Sequence, residues 1–129
     1  VAGWVQQFSG KPFCKPYETI GIVNAGGALT GGFVFTGYNV DGIEVSVAGK
    51  GIASREAWAA ACRYVFDQLG CKRLAMHTRD SNKTVKKILP RFGMKFEGRA
   101  RKFYGDEDGC TYSLTTDDLA AFRARWRLI

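Results

Sequence analysis

The sequence predicts a mixed α/β or α+β fold, in which a central sheet carries helices on its faces. Apolar residues recur at every second position in some segments and at helical spacing in others, which indicates strands and helices in succession. Hydrophobic residues make up 46% of the 129 residues and charged residues 24%, a composition typical of a globular protein. Because no repeat, low-complexity tract or linker interrupts the pattern, we expect residues 1–129 to form a single domain.

The first half of the chain is predicted to form three strands. They follow two segments in which the pattern of apolar residues is weaker. Helical spacing in residues 1–8 is limited to Trp4, Val5 and Phe8, and the two prolines of residues 10–18 predict a loop. Asn24 to Gly27 supply the positive φ angles that a hairpin turn needs between the first two strands. The expected strands are Thr19–Val23, Leu29–Tyr38 and Ile43–Val47.

The middle of the chain changes to helical spacing. Ser54 is the expected N-cap of a first long helix, and Gly70 is the residue expected to end it. The apolar face of this helix comprises Trp58, Cys62, Val65 and Leu69. A strand at Arg73–Thr78 should follow it.

A second helix is expected to open at Asp80 or Ser81 and to close at Gly93. Pro90 removes one helical hydrogen bond, so this helix should be short or kinked near its end. Its apolar face comprises Val85, Ile88, Leu89 and Phe92.

A hairpin and a closing helix complete the chain. The hairpin strands are expected at Met94–Tyr104 and Cys110–Leu114, joined by an acidic loop at residues 105–109. Thr115 and Asp118 resemble a capping box for a last helix. That helix would carry Leu119, Phe122 and Trp126.

Positive charge is concentrated in one part of the sequence. The net charge is +7, and residues 71–103 contain eleven basic side chains against two acidic ones, Asp80 and Glu97. We therefore expect this part to attract polyanions such as nucleotides, nucleic acid or an acidic partner, although a solvated charged face would show the same pattern. The eleven are Lys72, Arg73, Arg79, Lys83, Lys86, Lys87, Arg91, Lys95, Arg99, Arg101 and Lys102.

Several classes of protein do not fit the sequence. The four cysteines form no Cys-x-x-Cys pair and His77 is the sole histidine, so no zinc site is expected. Reduced cysteines in a cytosol fit this pattern better than disulfides do. No apolar run is long enough to span a membrane, and the first residues lack the pattern of a signal peptide.

The loop from Val47 to Arg55 joins a strand to the start of a helix and contains two glycines. N–H groups at a helix N-terminus favour an anion, and glycines allow a phosphate to approach the backbone. Lys50 and Arg55 add positive charge. An ordinary strand–helix turn capped by Ser54 would explain the same residues. The spacing matches neither a P-loop nor a dinucleotide-binding fingerprint.

A second stretch, from Arg79 to Gly98, places Asn82 after a strand and a Gly-apolar pair before the next one. Together the two stretches resemble the GNAT superfamily of acyl-CoA-dependent N-acetyltransferases, and in particular the branch that acts on ribosomal-protein N-termini and its small phage-encoded relatives. The matching positions are Gly51-Ile52-Ala53 in the pyrophosphate loop, Asn82, Gly93-Met94 in place of Gly-Phe, Glu97-Gly98 with Arg99 and Arg101, and the aromatics Tyr112 and Trp126.

This resemblance, which covers residues 18–128, implies a mostly antiparallel central sheet with helices on both faces, shortened at its N-terminus. It also implies a cytoplasmic enzyme that uses acetyl-CoA and no metal to acetylate a primary amine of a protein or a small molecule by direct attack. The third strand would pair with the pantetheine arm and polarise the thioester carbonyl. The N–H groups of Gly51 to Ser54 would bind the pyrophosphate, Asn82 would hold the arm, and the 3′-phosphate would meet Lys83, Lys86 or Lys87. The implied cofactor-binding residues are Val45, Val47, Gly49, Lys50, Gly51, Ile52, Ala53, Ser54, Arg55, Asn82 and Lys86.

Candidate catalytic residues follow from the same resemblance. Glu44, on the strand before the loop, is the expected general base, directly or through water, with a solvated strand carboxylate as the alternative. Tyr104 and Tyr112 are candidate general acids, with hairpin packing as the alternative. We expect His77, at the end of a strand, to have a structural role.

The sequence departs from the family pattern at three places. The Gln or Arg usual three residues before Gly51 is Ala48, and the tyrosine often found four residues before the helix-ending glycine is Leu89. Only residues 9–18 are left for the two helices usual between the first strands. Ala48 and Leu89 keep open a non-catalytic binding module on the same fold. The basic segment, with Phe103 and Tyr104 as stacking surfaces, keeps open a nucleic-acid-binding protein.

The acceptor is not identified by any motif, because variable loops build acceptor sites. Residues 106–108 form an acidic run that would attract a cationic amine or serve as an exposed turn. A homodimer is compatible with the resemblance, but no residue pattern identifies an interface.

Overall fold

The computed structural model describes residues 1–9 and 18–126, with side chains for residues 1–5 and 18–125. The strands are β1 (Glu18–Val23), β2 (Leu29–Thr36), β3 (Gly42–Ala48), β4 (Arg73–Arg79), β5 (Lys95–Tyr104) and β6 (Glu107–Thr115). They form one sheet in the order β1-β2-β3-β4-β6-β5. Neighbouring strands are antiparallel except for β3 and β4, which are parallel. The predicted loop lies outside the described residues, apart from Glu18, and so do Cys14 and the side chains of Phe8 and Trp126.

Helices cover both faces of this sheet. The described α-helices are α1 (Ala2–Ser9), α2 (Arg55–Cys62), α3 (Lys83–Arg91) and α4 (Thr116–Trp126). A 3₁₀ turn, Lys50–Ala53, precedes α2, and a π-helical turn, Arg63–Gln68, continues it. Trp58 of α2, Leu89 of α3 and Phe122 of α4 join the main core on one face. On the opposite face Val5 of α1 packs on Val34 and Ala48.

The predicted mixed sheet, mostly antiparallel and covered on both faces, is therefore confirmed. Each predicted strand and helix is present, with differences at the ends. Alternation explains the two-sided packing of β2, because Phe33 and Phe35 face the main core while Val34 faces α1.

The clearest differences from the predictions are at three boundaries, and several other ends differ by one residue. Strand β2 ends at Thr36 instead of Tyr38, where Gly37 adopts a φ of 66°. The predicted five-residue acidic loop is only a turn at Gly105 and Asp106, because Glu107 already pairs with Tyr104. Helix α3 begins after Asn82, whose side chain accepts a hydrogen bond from Val85 N–H (3.2 Å), and not at Asp80 or Ser81.

The parallel pairing of β3 with β4 is short. It runs from Gly42–Arg73 to Ser46–His77. Beyond that point β3 continues along β2 as far as Ala48, while β4 continues along β6 as far as Arg79. The two strands therefore separate at their C-terminal ends, where the loops to α2 and α3 begin.

The loop after β3 folds back tightly onto β2. A Cβ atom added at Gly51 would lie 2.5 Å from Thr30 Oγ1 and 2.9 Å from the Thr30 carbonyl carbon. Gly49 has a φ of 87°, and a Cβ there would lie 2.3 Å from the Thr30 carbonyl oxygen. The buried indole of Trp58 donates a hydrogen bond to the Ile52 carbonyl and holds the loop from the helix side. Backbone packing is thus sufficient to require both glycines.

A polar network crosses the face of the sheet opposite the three helices. Arg73 on β4 donates two hydrogen bonds to Glu97 on β5 (2.7 and 2.6 Å), and Ser113 on β6 donates a third (2.8 Å). Hydrogen bonds from Arg73, which has the larger effect, and from Ser113 lower the pKa of Glu97 from 4.5 to about 2. The ionised carboxylate therefore ties together three strands at this end of the sheet.

We expect Gly51→Ala to lower the free energy of unfolding by about 1–3 kcal/mol, the usual cost of overpacking. The added methyl group meets backbone atoms of β2, which cannot move away without disturbing the sheet. Urea unfolding measures the change. Gly3→Ala is the control, because a Cβ at Gly3 has no neighbour within 4 Å among the described residues. Equal stabilities of the two variants would contradict the packing explanation.

We also expect Glu97→Gln to change how stability depends on pH. Because folding lowers this pKa, the contribution of Glu97 is fully present above about 4.5 and is lost as pH falls towards 2. The wild type should exceed the variant in free energy of unfolding near neutral pH, and the difference should shrink across that acidic range. Denaturant unfolding at a series of pH values tests this, with Asp106→Asn in the exposed turn as the control. A difference that is independent of pH would be the contrary result.

Candidate active site

A small cleft opens where β3 and β4 separate. Val47 and Thr78 approach it from the face of the sheet that α2, α3 and α4 cover. Ser46, His77 and Arg79 approach it from the other face, as strand alternation requires. Asn82, before α3, and Tyr104, at the end of β5, complete its walls. The lining residues are Ser46, Val47, His77, Thr78, Arg79, Asn82 and Tyr104.

Glu44 lies beside this cleft, on the face of the sheet opposite the three helices. Its Oε1 atom is 3.2 Å from Nε2 of His77. The other ring nitrogen of His77, Nδ1, is 3.0 Å from the hydroxyl oxygen of Thr111 on β6. The Glu44 side chain is 57% exposed and that of His77 is 16% exposed. A largely exposed carboxylate is thus held by an imidazole that lines the cleft.

Aromatic rings form one side of the cleft. The rings of His77 and Phe103 stack with centroids 4.9 Å apart, and the Tyr104 ring meets Phe103 edge-on at the same distance. The Arg79 guanidinium lies 4.7 Å from the centroid of the Tyr104 ring. Burial raises the pKa of Tyr104 to about 12, so the phenol keeps its proton throughout the neutral range.

Tyr112, the other candidate acid, lies elsewhere. It pairs with Met76 and Phe96 in the sheet, and its ring packs edge-on against Phe96 with centroids 5.4 Å apart. It belongs to the main core and is not among the residues that line the cleft. Burial raises its pKa as well. The structure thus brings Tyr104, but not Tyr112, to the cleft.

Some backbone N–H groups of the loop between β3 and α2 already donate hydrogen bonds within the loop itself. Ile52 N–H donates to the Gly49 carbonyl (3.4 Å) and Ser54 N–H donates to the Gly51 carbonyl (3.2 Å). The Ser54 hydroxyl oxygen accepts from Ala57 N–H (3.2 Å), which confirms Ser54 as the N-cap of α2. Two of the four N–H groups expected to bind pyrophosphate are therefore occupied within the turn. The Lys50 and Arg55 side chains flank the loop and are exposed.

The remaining predicted binding residues are dispersed around the cleft. Val45 and Val47 are buried on β3, and Ala53 is exposed in the turn. Asn82 borders the cleft, although its side-chain oxygen already caps α3. Lys86 lies one turn further along α3 and donates to Asp80 Oδ1 (2.9 Å). This ion pair, with Arg99 on the other oxygen of Asp80, would compete with a phosphate for Lys86.

Two of the three departures from the family pattern, Ala48 and Leu89, are apolar positions in the structure. Ala48 is 3% exposed and packs with Val5 and Val34 beneath α1. Leu89 is fully buried in the main core. Neither position reaches the cleft lining, so neither residue offers a polar group to a ligand there.

Much of the basic segment is neutralised by ion pairs. Five of its eleven cations lie within 4.0 Å of carboxylates that come from other parts of the fold as well as from the segment itself. The pairs are Arg73–Glu97, Arg79–Glu107, Lys86–Asp80, Lys95–Asp118 and Arg99–Asp80. The acidic residues thereby reduce the positive field that the eleven basic residues alone would predict.

Sequence reasoning missed three groups of this site: His77, Thr111 and Arg79. Glu44 and His77 are far apart in the sequence, and only the parallel register, with Ser46 opposite His77, places them together. The alternation of buried and exposed positions along each strand could have shown that Glu44 and His77 both point away from the main core. The identity of the neighbouring strand, which brings them into contact, is not encoded in any local pattern.

Two kinds of feature are absent from the part of the chain that the structure describes. Residues 1–9 and 18–126 contain no group of three or more His, Cys, Asp and Glu side chains arranged to hold a metal ion. Within the same residues, no helix combines the length and the apolar character needed to cross a membrane.

Solved acetyltransferase structures share this architecture. A GCN5-related N-acetyltransferase from Brucella melitensis matches with a TM-score of 0.68 and 24% identity, over 84% of this chain and 55% of that one. The ribosomal-protein-S5-alanine acetyltransferase from Vibrio fischeri gives 0.64 and 22%, over 79% and 63%. The spermidine/spermine N-acetyltransferase SpeG from Vibrio cholerae gives 0.68 and 17%, over 81% and 68%.

No protein-family model matches the chain, and no curated protein matches it by sequence. The chain spans between 55% and 68% of the length of these three structures. At such identities the likeness concerns the fold. The chain therefore has the fold of the GNAT acetyltransferases, as the resemblance in its sequence predicts.

Proposed function

We propose that this chain is an N-acetyltransferase that moves an acetyl group from acetyl-CoA to a primary amine. The observation that supports it most is the cleft between the separated ends of β3 and β4, bordered by side chains from both faces of the sheet. Two reactants could approach such a cleft from opposite faces. Holding them together would supply much of the rate, because a positioned amine needs little further chemistry.

Acetyl-CoA would bring an activated acyl group, with the thiolate as the leaving group. The cations that flank the loop favour such a polyanion, and the occupied N–H groups of Ile52 and Ser54 restrict how its pyrophosphate can bind. Val47 lies beyond the last β3–β4 pair and would offer its backbone to the pantetheine arm, whereas the other predicted residue, Val45, already pairs with Phe35 and Met76 in the sheet. An N–H of β3 would stabilise negative charge on the carbonyl oxygen. Asn82 would border the arm.

The phosphates would lie at the start of α2 and along α3. Gly49, Gly51, Ala53 and the remaining N–H groups of the turn would face the pyrophosphate, with Lys50 and Arg55 closing over it. Lys86, after release from Asp80, would join Lys83 and Lys87 at the 3′-phosphate. Charge attraction of this kind weakens as salt screens it.

Glu44 would act as the general base. Its exposed carboxylate lies on the face from which an amine could enter, and a proton moves to it as the new C–N bond forms and the C–S bond breaks. Tyr104 is the better placed of the two candidate acids, because it borders the cleft whereas Tyr112 is in the core. With its pKa near 12, however, Tyr104 is a better hydrogen-bond donor than proton donor at neutral pH.

The apolar residues Ala48 and Leu89 favour one alternative, a binding module that keeps the cofactor site without turnover. Binding of acetyl-CoA by a folded sample that acetylates none of a panel of amines, including peptide N-termini and polyamines, would support that alternative. Absence of binding at low salt would overturn both.

We expect the double substitution Lys50→Ala and Arg55→Ala to weaken acetyl-CoA binding by at least about tenfold, the effect of losing charged hydrogen bonds to phosphate. Calorimetric titration at low salt measures it. Lys72→Ala is the matched control, because Lys72 is exposed and precedes β4 at the end away from the cleft. These side-chain variants avoid the packing defect of any change at Gly51. Equal weakening by the control would contradict a local phosphate site.

We expect Glu44→Gln to lower kcat by about a hundredfold, within the range for general-base catalysis, and to leave KM for acetyl-CoA unchanged. The amide keeps the shape of the side chain and removes its ability to take a proton. Steady-state kinetics with an accepted amine measure it. Glu18→Gln, on the edge strand β1, is the control. Unchanged kcat in Glu44→Gln would show that another group, or solvent, accepts the proton.

A further inference from the structure

We propose that His77 is a positioning residue, which together with Thr111 orients the Glu44 carboxylate towards an incoming amine. This inference rests on the proposed acetyl transfer. It assigns a role to a residue that the sequence alone favours as structural, and it depends on three side chains from three adjacent strands of the sheet.

The sheet itself brings the three residues into line. Ser46 is opposite His77 across the β3–β4 pair, and Thr111 is opposite His77 across the β4–β6 pair. Glu44 is two residues from Ser46 on the same face of β3. The resulting contacts are Glu44 Oε1 to His77 Nε2, 3.2 Å, and His77 Nδ1 to Thr111 Oγ1, 3.0 Å.

The chemistry of the three groups fixes where the protons lie. A carboxylate can only accept a hydrogen bond, so His77 Nε2 must carry a proton and donate it. In the neutral imidazole Nδ1 is then an acceptor, and the Thr111 hydroxyl can donate to it. The carboxylate thus selects the tautomer in which Nε2–H points at Glu44, and the Thr111 hydroxyl complements it by donating to Nδ1.

Packing holds the imidazole while the carboxylate stays accessible. The His77 ring stacks on Phe103 (4.9 Å between centroids) and borders the cleft, whereas more than half of the Glu44 side chain is exposed. The second carboxylate oxygen, Oε2, lies near Gly37, where an added Cβ would be 3.6 Å away. One oxygen is therefore held by His77, which leaves the second to receive the proton.

Two amide substitutions at His77 distinguish the role of Nε2 from the role of Nδ1. In His77→Gln the side-chain amide nitrogen is placed like Nε2 and can still donate to Glu44, whereas in His77→Asn it is placed like Nδ1 and can reach only Thr111. We expect His77→Gln to keep most of kcat and His77→Asn to lose about tenfold to hundredfold, the scale of a misplaced catalytic group. KM for acetyl-CoA should stay unchanged in both. Equal kcat values for the two variants, with equal thermal stability, would overturn the proposal.

A double-mutant cycle tests whether His77 acts through Glu44. In a Glu44→Gln background, His77→Asn should cause little further loss of kcat, because there is no base left to position. A loss as large as in the wild-type background would show that His77 acts independently, and would overturn its assignment as a positioning residue.

An NMR measurement reads the same contacts without any turnover. Because His77 is the sole histidine, its labelled ring nitrogens give one assignable signal each. In the neutral ring Nε2 should appear protonated and Nδ1 bare. Glu44→Ala should shift mainly the Nε2 signal, and Thr111→Val should shift mainly the Nδ1 signal. Ring signals unaffected by either substitution would overturn the proposal. If those contacts are present while the wild type acetylates no amine, the proposed function fails instead.

Discussion

The site depends on one constraint, the point at which the parallel pairing of β3 and β4 stops. Up to Ser46 and His77 the two strands share a ladder, and beyond it each follows its other neighbour. The separation creates the cleft, sends one loop to α2 and the other to α3, and leaves His77 at its edge. A longer ladder would close the cleft.

Close packing and ion pairing explain the presence of several residues that the sequence predicts to belong to a cofactor site. Gly49 and Gly51 are required by the contact of their loop with Thr30, and Lys86 is held by Asp80. These contacts do not exclude a ligand, because a phosphate could displace Asp80 or bind the remaining N–H groups. They do mean that the loop keeps its shape without one. The same ion pairs reduce the positive field of the basic segment, so a nucleic-acid partner has less support than the residue count gives it.

Periodicity was sufficient to predict the elements, because alternation and helical spacing are local properties of the sequence. Ser54 as an N-cap and the strand from Ile43 to Val47 follow from such patterns and are confirmed. The start of α3 was misplaced because Asp80, Ser81 and Asn82 are all good caps, and only the hydrogen bond to Val85 N–H selects Asn82. The link between Glu44 and His77, and the separation of Tyr112 from Tyr104, depend on strand order, which no local pattern encodes.

The most direct test of the account is a titration of the labelled protein with acetyl-CoA, followed through the backbone amide signals in NMR spectra. The account predicts the largest changes at the cleft, in Ser46, Val47, Thr78 and Arg79, together with the turn from Gly49 to Ser54. Changes confined to the basic residues of β5, or no changes at low salt, would contradict the claim that the separated strands form an acetyl-CoA site.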